Sequence, residues 1–111
     1  MKSRDKETLQ KILGVIAETE EIIKFISLEE FLEKPLYKMA MTMSILRIGE
    51  LVKNLTMEFR DLNPQVRWKG ITGFRDVIAH KYDIIDMQAV YKTVNEDFHE
   101  LKLQIEKILD K

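Results

Sequence analysis

Apolar residues recur at three- and four-residue intervals along the whole chain, the spacing that lines one face of an α-helix. Leu9, Ile12, Leu13, Ile16, Ile23 and Ile26 form one stripe, which predicts a first helix over residues 4–26. Ser27, with Glu30 three places on, reads as a capping box. It opens a short helix that buries Phe31 and Leu32 and ends at Pro35. A second long helix is expected over residues 36–59, with Met39, Met43, Leu46, Leu55 and Phe59 on one side and Ile48, Leu51 and Val52 widening it. Inside it sits Gly49, and a mid-helix glycine costs about 1 kcal/mol relative to alanine. Close approach of another helix at that point would account for it.

Asn63 and Pro64 read as the N-cap and first position of a short helix that carries Trp68, Ile71, Phe74 and Ile78 to about His80. Trp68 and Phe74 are expected in the core rather than as platforms for stacked bases. After that, DIID breaks the pattern and Asp86 reads as the N-cap of the last helix. There Met87, Tyr91, Val94, Phe98, Leu101, Ile105 and Ile108 follow one another at alternating gaps of four and three. That is the seam of helices packed at small crossing angles. The pattern as a whole predicts an all-α antiparallel helical bundle of three long helices and one or two short ones. With no repeat and no low-complexity linker, residues 1–111 form one domain.

Composition narrows the chemistry. The 111 residues are 45% hydrophobic, enough for one modest core, and 33% charged, which suits amphipathic helices. There is no cysteine, so disulfides, thiolate metal sites and a cysteine nucleophile are excluded. The polar start, MKSRDKETLQ, has no apolar stretch of signal-peptide type, and no apolar run approaches the roughly 20 residues that cross a bilayer. A soluble, cytoplasmic protein with no membrane partner is expected. The net charge of −1 makes the whole molecule a poor polyanion binder, so contact with nucleic acid must come from a local patch.

One stretch supplies such a patch. Over residues 65–82, Arg67, Lys69, Arg75 and Lys81 face a single acid, Asp76, for a local charge of +3. The chain has two histidines. His99, beside Phe98, has no partner pattern and reads as a solvated or packing residue, whereas His80 lies in RDVIAHKY, residues 75–82. Cleavage of RNA without a metal needs a base for the ribose 2′-hydroxyl, an acid for the leaving 5′-oxygen and a cation on the phosphate. Histidine serves either of the first two roles near neutral pH, and the arginine fork fits phosphate oxygens. Five residues on an ideal helix leave Arg75 and His80 about 140° apart. They converge only if the helix loosens after Ala79, or if a site is completed across a two-fold axis. Asp76 and His80, at i and i+4, can touch on a helix, and Arg75 and Tyr82 stand about two turns apart.

The order Ile48-Gly49-Glu50, then Pro64, Trp68, Gly73, Arg75, His80 and Tyr82, then Ile85-Asp86, resembles the HEPN superfamily and, within it, the HepT-like toxins of type VII toxin–antitoxin pairs. The likeness covers nearly the whole chain. It implies an all-α bundle that pairs as a homodimer through the motif-bearing helix. It implies a metal-independent endoribonuclease with no cofactor, in which Arg75 and His80 are catalytic and Asp76 supports them. Arg67, Lys69 and Lys81 are the candidate RNA contacts. It also implies a partner, an MntA-like nucleotidyltransferase antitoxin that neutralises the toxin by transferring AMP to Tyr82. One position departs from the family pattern: Asp76 stands where asparagine is usual. Its charge would either orient His80 or weaken phosphate binding. Two other readings compete. One is a non-catalytic dimeric binding subunit of a minimal nucleotidyltransferase, and the other is a structural dimer, which leaves Arg75, His80 and Tyr82 unexplained as a group.

Overall fold

The computed structural model describes residues 1–110, and every regular element among them is helical. Helix α1 (Ser3–Ile23) carries Leu9, Ile12, Val15, Ile16 and Ile23 into the core, close to the predicted stripe. Ser27 caps α2 (Leu28–Glu33) as expected, accepting a hydrogen bond from the Glu30 backbone N–H at 3.1 Å. Phe31 of α2 is fully buried. Pro35, expected only to end that helix, also starts the next one, where its missing N–H costs nothing.

That next helix, α3 (Pro35–Lys53), departs from expectation twice. It stops short of Phe59. The chain breaks at Asn54-Leu55, and Thr56 caps a separate helix, α4 (Met57–Leu62), by accepting from the Phe59 N–H. Its core face is also shifted, keeping Ile48 and Val52 of the expected set but not its methionines. Met41, Ile45, Ile48 and Val52 are buried, whereas Met39 and Met43 are 62% and 54% exposed. Both stripes are apolar, and tertiary contacts choose between them.

Those contacts run to α1. Thr19 Oγ1 donates to Ser44 Oγ at 2.7 Å, Arg47 pairs with Glu18 at 3.0 Å, and Asp5 holds Thr56. Residues later in α1 thus meet residues earlier in α3, so the two helices run antiparallel. Asp5 is almost completely buried, and both its oxygens are used, accepting from the Thr56 N–H at 2.8 Å and the Thr56 hydroxyl at 2.7 Å.

Asn63 and Pro64 do not begin a helix. Asn63 ends α4, its side chain donating to the Phe59 carbonyl and its own carbonyl accepting from the Trp68 indole at 3.0 Å. Helix α5 (Trp68–Lys81) starts four residues later than expected, runs 14 residues and ends one residue beyond His80. Trp68 is buried against Phe59, as a core residue should be, and Phe74 is partly buried against the core. A single 3₁₀ turn, Tyr82–Ile84, leads to Asp86, which caps α6 (Met87–Lys92) through the Gln88 N–H at 2.9 Å.

Helix α6 continues through a π-helical stretch, Thr93–Asp97, into α7 (Phe98–Leu109) without a break. Eight residues of ideal α-helix turn by about 800°, which would leave Phe98 some 80° off the line of Val90. The wider π-turn removes most of that offset. Val90, Val94, Phe98, Leu101, Ile105 and Ile108 are all buried. Met87 and Tyr91 of the expected seam pack partly against it, and the Tyr91 hydroxyl reaches the Ile26 carbonyl at 2.9 Å. Central helix α3 thus packs against α1, α5, α2 and α6, and α7 lies against α1. Among the described residues no helix is long and apolar enough to cross a membrane.

Candidate active site at the α3–α5 crossing

Helices α3 and α5 approach so closely at Gly49 that a Cβ there would overlap the Cβ and Cγ of Arg75. The expected close contact at this glycine is therefore made, and its partner is Arg75 itself. Lying in that gap, the arginine stem delivers its head between two carboxylates. Nη2 stands 3.1 Å from Glu50 Oε2, and Nη1 stands 3.2 Å from Asp76 Oδ1. The same Asp76 oxygen accepts from Lys53 Nζ at 2.7 Å. The Lys53 hydrogen bond, with help from Arg75, holds the Asp76 carboxyl below the usual aspartate range, against a smaller opposing effect of desolvation. Arg75 Nε is enclosed and has no hydrogen-bond partner. The four side chains alternate in sign and sum to zero charge. Lys53 was not singled out from the sequence, and Glu50 entered only as a letter of Ile48-Gly49-Glu50, with no role of its own. The available signal was Gly49: charged residues one and four places beyond a close-contact glycine flank the same crossing.

His80 and Tyr82 belong to the free end of α5. The helix does not loosen at Ala79 but continues through His80, and the backbone departs from helical dihedrals only at Lys81, so Arg75 and His80 remain about 140° apart on one chain. Only the two-copy route to convergence is left. The possible Asp76–His80 hydrogen bond is not made; Asp76 Oδ1 turns instead to Lys53 of α3 and to neighbouring Arg75. His80 is exposed and Tyr82 is 42% exposed, and neither side chain hydrogen-bonds among the described residues. Lys69, Gly73, Asp76 and His80, at gaps of four, three and four, form one outward stripe along α5. A Cβ added at Gly73 would meet nothing.

The remaining cations divide. Lys69 and Lys81 are exposed, one on that stripe and one at its end. Arg67 sits at the rim of a cavity of about 390 Å³ between α3, α5 and α7, floored by Ile45, Ile71, Phe74 and Leu101. Asp97 and Glu100 share that rim and counter its charge locally. His99 is exposed, as a solvated histidine should be. Among the described residues, no three histidine, aspartate or glutamate side chains converge as a metal site.

Residues 12–108 match the family model described as ribonuclease HepT-like. A protein of Caldanaerobacter subterraneus subsp. tengcongensis, provisionally named an RNase, is 38% identical over 82% of this chain and 81% of its own length. A "Probable ribonuclease HepT" of Thermococcus cleftensis is 33% identical over 97% of this chain and 98% of its own. A provisionally named RNase of Methanocaldococcus jannaschii is also 33% identical, over 96% and 98%. No solved structure matches the chain. With nearly every residue of the bundle inside the matched region, including both helices that cross at Gly49, the chain belongs to the ribonuclease HepT-like family.

Proposed function

We propose that this protein is a metal-independent endoribonuclease that works as a homodimer, with Arg75 and His80 as its catalytic pair. The observation that carries the reading is the division of labour on α5. The fold packs the Arg75 stem and aims its guanidinium, while His80 stands free on the outward stripe of the same helix. One chain keeps the two apart, but pairing α5 with its copy brings two arginines and two histidines to one cleft. Gly73 supports that pairing. It weakens α5 and nothing in its own chain needs the space, whereas a second backbone against the stripe would.

In such a cleft one His80 takes the proton of the ribose 2′-hydroxyl, whose oxygen then attacks phosphorus. The other gives its proton to the departing 5′-oxygen, and Arg75 balances the charge that builds on the phosphoryl oxygens. A cyclic phosphate and a free 5′-hydroxyl result. Lys69 and Lys81 extend the phosphate-binding surface, with Arg67 at its acidic margin.

Tyr82 offers the means of control. Its exposed phenol is open to a nucleotidyltransferase antitoxin of the MntA type. Attack of the phenolic oxygen on the α-phosphorus of ATP would attach AMP and release pyrophosphate. The added charge would sit two residues from His80, where the RNA phosphate must lie. The test is cleavage of mixed RNA in EDTA by protein whose intact mass shows no AMP. Wild type should cut, and His80→Ala should lose at least about a hundredfold in rate with helix content and dimer unchanged. Equal cleavage by the variant would remove His80 from the site.

One observation favours a second reading, a non-catalytic dimeric binding subunit of a nucleotidyltransferase. Both terminal nitrogens of Arg75 are already engaged by carboxylates. In that case unmodified dimer leaves RNA whole but still binds the nucleotidyltransferase.

A further inference from the structure

Asp76 Oδ1 is one oxygen shared by two cations, Lys53 at 2.7 Å and Arg75 at 3.2 Å. We infer that Lys53 is a positioning residue for Arg75. By taking the larger share of the Asp76 carboxylate, it keeps the guanidinium available to a phosphate. The inference rests on the ribonuclease reading above and deepens it, since it gives a role to a residue of α3 that touches neither histidine nor substrate.

A carboxylate next to a phosphate-binding arginine works against the site in two ways. It repels the incoming anion, and it occupies the N–H groups the anion needs. Asp76 adjoins Arg75 in sequence and cannot leave. Lys53 answers both effects. It is the last residue of α3, one turn beyond Gly49, so the contact that seats the arginine stem also brings Lys53 up to Asp76. Its ammonium neutralises the carboxylate and makes the shorter of the two bonds. Glu50 grips the other side of the guanidinium, but it is 59% exposed and free to swing away when a phosphate arrives. Without Lys53 the carboxylate would turn wholly to Arg75. The pair would close on itself, and substrate would have to break it.

This predicts a dependence that a merely structural lysine lacks: its effect exists only while residue 76 is charged. The experiment is a double-mutant cycle on the full chain with Lys53→Met, Asp76→Asn and both together, reading KM and kcat for RNA cleavage and Kd for an uncleavable 2′-O-methyl oligonucleotide. Lys53→Met should raise KM and Kd about fivefold with kcat changed less than about twofold. The same substitution in the Asp76→Asn background should change KM less than about twofold. Lys53→Arg should restore the native KM. A loss that persists with Asp76→Asn means that the lysine meets the phosphate itself, and the positioning role falls. No loss in the native background overturns it as well.

A third measurement does not depend on cleavage. In carbon-13-labelled protein, the Asp76 carboxyl should titrate at higher pH in Lys53→Met than in the wild type. If wild type cuts no RNA, the ribonuclease reading fails, while the titration and the oligonucleotide Kd still decide the positioning role of Lys53. An unmoved Asp76 midpoint ends it.

Discussion

Gly49 and Arg75 show how one atom decides a site. The arginine stem occupies the volume a Cβ at position 49 would need, so Gly49→Ala must push α3 and α5 apart or expel the arginine. Alanine gains about 1 kcal/mol of helix propensity, but overpacking of this kind costs about 1 to 3 kcal/mol. Chemical denaturation should show a net loss, and RNA cleavage should fall further than stability does. Asp76 makes a different kind of prediction. Its carboxyl is held below the ordinary range by Lys53 first and Arg75 second, so its contribution is present above the ordinary aspartate value, about pH 4, and fades as pH falls through the depressed midpoint. The stability gap between the native chain and Asp76→Asn should therefore narrow on acidification below about pH 4. A gap that stays constant would mean the ion pairs contribute nothing. The motif residues themselves were legible in the sequence because their chemistry is unusual in type. Glu50 and Lys53 were not, because glutamate and lysine on a helix are ordinary until a neighbouring helix is placed beside them.

At the scale of elements, the caps at Ser27 and Asp86 read true, whereas the local start at Asn63-Pro64 and the remote signals did not. Ser27 and Asp86 cap helices because the bond each makes spans two or three residues, all visible in the sequence. The break between α3 and α4 is set from the far end of the chain. Asp5, 51 residues away, takes both donors of Thr56 and so fixes where α4 begins. The stripe through Met39 and Met43 misled for a related reason. Two faces of α3 are apolar, and Ser44, through Thr19 of α1, marks the one that turns inward. The π-stretch in the last helix is also beyond a periodicity argument, since seven apolar positions at alternating gaps fit an unbroken coil equally well. Replacing Asp5 with alanine should cost about 2 to 3 kcal/mol by leaving the Thr56 N–H and hydroxyl unmatched in a closed site. Hydrogen exchange should then show α4 opening before α1.

At the scale of the molecule, the expected bundle stands, with α5 starting later than foreseen and α2 and α4 as its short members. Sequence spacing already placed Arg75 and His80 on different sides of their helix, and the helix holds them there, so the proposed site calls for a second copy. Gly73→Ala tests this without touching a charged group. It should strengthen the isolated fold by about 1 kcal/mol yet weaken self-association, as sedimentation at graded concentrations would show. Equal or tighter association would place the dimer elsewhere. The seating of Arg75 against Gly49 reaches beyond this protein, to how its relatives are to be judged. A lineage that gave up cutting RNA would still need something to fill the α3–α5 gap, so its arginine would be slow to disappear. His80 is exposed, makes no side-chain hydrogen bond or ion pair among the described residues, and on the proposed reading would drift as soon as selection for cleavage lapsed. In sorting working nucleases from retired ones, the histidine is the informative letter, and an arginine at this position says mainly that the helices still cross.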